Sequence, residues 1–269
     1  MFKVYDPGVV YKYLVTWLRG LKYMIQIENL QVSVWEKQIL KGVSLNFELG
    51  KNYCLLWKNG SGKSTLSSVL MGHPKYEVTW GTISIEGKNL LEMGPDERSQ
   101  AGLFLSFQNI PEIKGIKLSE YLRTIFNISE KSKSTEFKDV SPFLFKRFIK
   151  KYLDELHIDE KFLERDLNVG FSWGEKRKIE ILQMKLIGPK YIILDEIDSG
   201  LDLDAFKTVA TMLQSLSSTE NSIIIITHYF TILDYIDVDT VFVMKEWQIV
   251  REGGKELAKK ISENGFGDI

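Results

Sequence analysis

The segment Trp57-Lys58-Asn59-Gly60-Ser61-Gly62-Lys63-Ser64-Thr65 constrains what this chain can fold into more than any other. It joins an apolar run, Tyr53 to Leu56, to an amphipathic stretch that opens at Lys63. A strand that leaves through a Gly/Ser-rich turn straight into a helix aims several backbone N–H groups and the positive end of the helix at one point. Such a point binds phosphate. The pattern G-x-x-x-x-G-K-[ST] is met at Gly62, Lys63 and Ser64 and broken at its first position, where Trp57 stands in place of glycine. Lys63 is placed to neutralise the outer phosphates of a nucleoside triphosphate and Ser64 to ligate magnesium, while the backbone of the remaining residues wraps the phosphates. A plain turn before a helix is the blander reading, and the strand that precedes this turn argues against it.

Composition narrows the partners. The 269 residues, 44% of them hydrophobic, can build one large domain or two small ones. Thirty-five basic and 36 acidic residues leave a net charge of -1, so there is no basic field to track a nucleic-acid backbone. Apolar runs such as Ser222 to Thr227 fall short of the roughly 20 residues that cross a bilayer, so no direct membrane insertion is expected. The single cysteine, Cys54, excludes an internal disulfide, favours a cytoplasmic site, and cannot alone supply the thiolates of an iron–sulfur cluster.

Residues 1–23 carry an apolar stretch with a basic flank, and Met24 stands immediately before a period-2 strand pattern, so they read as an extension ahead of the true start. From Met24 the pattern gives a strand hairpin, a third strand into the phosphate loop, and a helix. Further strands follow at Ile83 to Glu86 and Leu103 to Phe107. Residues 118–165 read as mostly helical, with Ser129 to Asp139 as a loop. After Gly174 come a helix, the strand Tyr191 to Leu194, a helix from Asp202, the strand Ile223 to Thr227, and a closing hairpin and helix. Continuous apolar strands alternating with helices imply an α/β fold with a parallel sheet covered on both faces. Residues 24–107 and 174–269 form the expected core, and about 108–173 a helical insertion.

Chemistry gathers at the strand ends. Asp195 and Glu196 close an apolar strand at the carboxyl edge, where ligands bind in open α/β sheets. Asp195 is placed to hold magnesium and Glu196 to act as general base towards water. His228 follows the strand ending at Thr227 and is a candidate sensor of the terminal phosphate. Gln108, after the strand Leu103 to Phe107, can reach magnesium or water. Ser172, Gly174 and Glu175 open a helix and form a second anion site, which suits the nucleotide of another subunit.

The ordered set of phosphate loop, Gln108, Ser172-Trp173-Gly174-Glu175-Lys176, Asp195-Glu196, Ser199-Gly200-Leu201-Asp202 and His228 resembles the ATP-binding-cassette ATPases over essentially everything after Met24. The resemblance implies a RecA-like parallel core with an N-terminal antiparallel β subdomain and an inserted helical subdomain. It also implies a head-to-tail dimer on ATP and Mg2+, in which Ser172 and Gly174 of one copy cap the ATP held by Lys63 of the other and Asp202 crosses the interface. Tyr76-Glu77-Val78-Thr79, Asn168-Val169-Gly170-Phe171-Ser172, Ile181-Leu182-Gln183-Met184 and Thr227-His228-Tyr229, with Ile197 after the catalytic acid, are similar to the SufC group of the Suf iron–sulfur cluster assembly system. That group implies SufB-like and SufD-like scaffold partners, met near Gln108 to Leu122. The other assignments are a transporter's nucleotide-binding subunit and a scaffold that no longer hydrolyses ATP.

The last assignment is raised by the tryptophans. In the family, positions 57 and 173 are glycines at tight points of the nucleotide site, and Trp80 and Trp247 also fall where glycine is usual. Trp35 lies in a hairpin turn, from which it can stack on adenine. With glycine at about 7% of positions, four of the six tryptophans landing on glycine sites by accident has a chance below roughly one in a thousand. Some bacterial lineages read the codon UGA as glycine, and the expectation is that these four tryptophans are glycines in the native product.

Overall fold

The computed structural model describes residues 24–57, 63–197, 200–246 and 248–266. The strands are β1 (Met24–Val34), β2 (Lys37–Glu48), β3 (Tyr53–Trp57), β4 (Glu77–Ile85), β5 (Lys88–Asn89), β6 (Leu103–Ser106), β7 (Ile113–Lys117), β8 (Asp166–Leu167), β9 (Tyr191–Asp195), β10 (Ser222–Thr227), β11 (Thr240–Lys245) and β12 (Gln248–Gly253). The helices are α1 (Lys63–Leu70), α2 (Pro95–Gln100), α3 (Leu118–Lys133), α4 (Pro142–Glu155), α5 (Trp173–Ile187), α6 (Leu203–Gln214) and α7 (Lys255–Asn264).

Six strands in the order β12-β11-β3-β10-β9-β6 form the main sheet, parallel throughout except for the antiparallel edge strand β12. Every residue of β9 and β10 is buried, which explains why both read as unbroken apolar runs. The period-2 alternation of strand side chains divides them between two cores. Cys54, Leu56, Ile192, Leu194, Ile223 and Ile225 face the layer of helices α3 to α7. Tyr53, Leu55, Tyr191, Ile193, Ile224 and Ile226 face α1 and the four-stranded antiparallel sheet β2-β1-β4-β5. The sheet is thus the middle layer of three, and its strands point their carboxyl ends at one edge.

The insertion between β6 and α5 holds α3 and α4 but also the two-stranded ribbon β7-β8, so it is not purely helical. The loop expected at Ser129 to Asp139 is shorter, because α3 continues to Lys133. Its polar last turn is anchored from outside. Ser129 Oγ and Lys133 Nζ both donate to the Ile187 carbonyl at the end of α5, at 3.0 Å each.

In the first hairpin Trp35 and Glu36 take φ of +46° and +65°, the turn conformation that favours Asn and Gly, and Trp35 is 90% exposed. Trp80 behaves differently. It lies in β4 opposite Gln31 and its own φ is not positive; the left-handed residue is Gly81, φ +92°, where a Cβ would lie 2.5 Å from the carbonyl oxygens of Glu28 and Asn29. Local geometry therefore demands glycine at 81 rather than at 80.

Candidate functional site

The site grows from the carboxyl edge of the parallel sheet. Of the phosphate-loop segment, Lys58, Asn59, Gly60, Ser61 and Gly62 lie outside the described residues, as do the side chains of Trp57, Lys63 and Ser64. On either side of them, β3 runs to Trp57, paired with Met244, and α1 begins at Lys63, so the strand–turn–helix context is present. Thr65 is buried in the first turn of α1.

Glu196 follows β9 directly and takes φ +49°, a conformation uncommon for a non-glycine residue. Its carboxylate collects two of the residues singled out in the sequence. Gln108 Nε2 donates to Glu196 Oε2 at 2.6 Å, and His228 Nδ1 lies 3.3 Å from Glu196 Oε1. The three reach this point from β6, β9 and β10, which are adjacent in the sheet. Glu196 and His228 are largely covered while Gln108 is exposed, so the cluster opens on one side.

Asp195 is 4% exposed, and its Oδ2 accepts a 2.7 Å hydrogen bond from Ser67 Oγ. Ser67 sits one turn beyond Lys63, on the face of α1 turned to the sheet, and so fixes the acid relative to the helix that carries Lys63 and Ser64. Sequence reasoning did not single out Ser67. The signal was a small polar residue one helical turn from the phosphate-loop lysine.

Ser172 is the N-cap of α5. Its Oγ accepts from Glu175 N–H at 3.3 Å, and Glu175 Oε2 accepts from Ser172 N–H at 2.7 Å, a reciprocal capping box. Glu175 is therefore occupied in building the helix end, whereas the Ser172 hydroxyl hydrogen is not used by this cap. Trp173 occupies the first helical position, 37% exposed. Its indole packs over Gly200, φ +80°, where a Cβ would lie 3.3 Å from the ring, and Lys176 Nζ is 5.4 Å from a Trp173 ring centroid. Gly174 is intermediate in exposure, with Ala205 Cβ 3.6 Å from the position its own Cβ would take. Asp202 is the N-cap of α6 and accepts from Ala205 N–H at 2.8 Å. These residues form a second cluster at the start of α5 and α6, separate from Glu196. Ser199 and Trp247 lie outside the described residues.

Known proteins share the sequence pattern and the fold that carry this site. The family described as ABC transporter matches residues 40–199. The chain is 45% identical over 243 residues, 90% of its length and 93% of the relative's, to the probable ATP-dependent transporter ycf16 of Cyanophora paradoxa. It is 43% identical over 244 residues, 91% of its length and 98% of the relative's, to the probable ATP-dependent transporter SufC of Escherichia coli. A crystal structure of a nucleotide-free ATP-binding cassette from an ABC transporter has the same fold, with a TM-score of 0.71 at 24% identity over 90% of this chain and 95% of that one. The sheet order, the strand–turn–helix at Lys63 and sequence identity along nearly the whole length agree: this chain belongs to the ATP-binding-cassette ATPase family and is an ATPase of the SufC type.

Proposed function

We propose that this chain is the ATP-hydrolysing subunit of a Suf-type iron–sulfur cluster assembly complex, and that ATP drives a head-to-tail association that remodels SufB-like and SufD-like partners. The observation that carries the hydrolytic part is the carboxylate of Glu196 with Gln108 and His228 on its two oxygens. Glu196 takes the proton of the attacking water, Gln108 orients that water, and His228 senses the terminal phosphate. Ser64 and Asp195 offer hard oxygen donors of the kind magnesium prefers. When bound there, the metal neutralises phosphate charge, and Gln108 is a further candidate donor. Ser172 and Gly174 cap the nucleotide of the partner copy, with Asp202 beside them.

The assembly role rests on the likeness to SufC over nearly the full length of both chains. Cys54 fits it: the thiol is fully buried and burial pushes its pKa well above the ordinary range, so it is no cluster ligand, and the cluster belongs on the partners. A groove of about 680 Å³, lined by Phe104, Phe107, Ile113, Tyr121, Ile125 and Ile128, runs beside Gln108 between the main sheet and the insertion. It is the surface on which we place those partners. The competing role, a transporter's ATPase subunit, is favoured by the names ycf16 and SufC carry as ATP-dependent transporters. Affinity purification from the native source with mass spectrometry separates the two. Soluble SufB-like and SufD-like proteins support the assembly role, and a membrane permease contradicts it.

A further inference from the structure

Beneath the Gln108 turn lies a charged pair that the functional reading above leaves without a role. Arg177 and Glu180, one helical turn apart on α5, are 2% and 5% exposed. Arg177 Nη1 donates to Glu180 Oε2 at 2.6 Å, to Ser106 Oγ at 2.7 Å and to the Phe107 carbonyl at 3.0 Å. Ser106 Oγ donates to Glu180 Oε2 at 2.8 Å, and the Phe107 N–H donates to the same carboxylate. Both peptide planes flanking Phe107 are thus held from α5, one through its N–H and the other, which leads into Gln108, through its C=O. The next side chain in the sequence is the one that bonds Glu196.

We propose that Arg177 and Glu180 are positioning residues for ATP hydrolysis: they clamp the Phe107–Gln108 backbone to α5 and so set the reach of Gln108 to Glu196. The same helix is capped by Ser172, so the clamp ties the start of α5 to the Gln108 turn. A buried pair with this geometry is a costly way merely to fill a core. Arg177 Nε and Nη2 find no partner among the described residues, and apolar side chains of equal volume would leave no such atoms. Glu180 and Phe107 also line the groove described above, so an element seated in that groove rests against the clamp.

This inference rests on the reading of Gln108 as a hydrolytic residue, and a double-mutant cycle separates the two. The background is the full-length chain that turns over ATP, with glycine at 57 and 173 where those are the native residues. Arg177→Lys keeps the charge but loses the forked donors. It is expected to lower kcat about ten-fold with KM for ATP within two-fold. In a Gln108→Ala background, itself at least ten-fold slower, the same change is expected to cost less than two-fold. An equal loss of kcat in both backgrounds, or a raised KM with kcat unchanged, overturns the clamp alone. A Gln108→Ala enzyme as fast as its parent overturns the role of Gln108 and the clamp with it. If Arg177→Lys fails to fold, Ser106→Ala, which leaves the Arg177–Glu180 pair intact, enters the same cycle with the same expected dependence on Gln108.

Discussion

Gln108 and Glu196, 88 residues apart in sequence, meet through a 2.6 Å hydrogen bond from Gln108 Nε2 to Glu196 Oε2, while His228 stands at the other carboxylate oxygen. The insertion holding α3, α4, β7 and β8 lies between the two in the chain. That insertion begins beside Gln108, so the residue that bonds Glu196 stands at its entry.

The Ser67–Asp195 bond predicts a magnesium phenotype. Ser67→Ala removes a donor to a buried carboxylate and is expected to destabilise the fold by about 1.5–3 kcal/mol. Because Ser67 orients the acid proposed to hold the metal, the magnesium concentration for half-maximal ATPase activity is expected to rise about ten-fold. A magnesium titration at saturating ATP measures it, and an unchanged midpoint removes Asp195 from the metal site.

Two buried phenols predict alkaline behaviour. Burial raises the Tyr53 pKa from its ordinary value near 10 to about 12, and raises that of Tyr191 further. A group raised on folding contributes stability that is complete below its unfolded pKa and is lost as pH climbs towards its folded one. The fold should hold its stability up to about pH 10 and lose it steeply above. Tyr191 Oη has no hydrogen-bond partner among the described residues, so Tyr191→Phe should leave the melting temperature unchanged or raise it by a few degrees and soften the alkaline loss. Melting curves between about pH 7 and 11, on the order of one per half unit, test this; a large destabilisation at neutral pH means the hydroxyl is satisfied after all.

The tryptophans predict a mass. If UGA encodes glycine in the native host, the intact protein is lighter by the side chains of Trp57, Trp80, Trp173 and Trp247, and each tryptophan found as written ends the idea at that site. Trp173 lies against Gly200 at the start of α5, in the cluster proposed to meet the partner's nucleotide. A recombinant chain made as written should hydrolyse ATP poorly, and Trp57→Gly with Trp173→Gly should restore turnover.

Much of this was legible in sequence, and the exceptions share a cause. The strands β3, β9 and β10 announced themselves because both faces are buried, leaving no polar alternation. Glu196, His228 and Gln108 follow β9, β10 and β6, which the apolar runs before them imply, although only three dimensions show that Glu196 lies between the other two. Ser67, Ser106, Arg177 and Glu180 escaped notice because each acts by pairing across distant segments, and a serine or an ion pair on a helix looks like solvated surface until its burial is known. The last turn of α3 was hidden for the same reason: its polar residues cap the end of another helix. At position 80 φ is not positive, so the backbone gives no reason of its own for glycine there; the residue whose conformation needs glycine is Gly81.

With Glu196 as the proposed general base, hydrolysis and ATP binding should separate at this one carboxylate. Steady-state ATPase activity and ATP affinity of Glu196→Gln, measured side by side with the parent protein and with glycine at 57 and 173 where native, test it most directly. The expected result is a fall in kcat of about 10²–10⁴ with ATP affinity kept within a few-fold. Turnover within ten-fold of the parent, with ATP still bound, would contradict it.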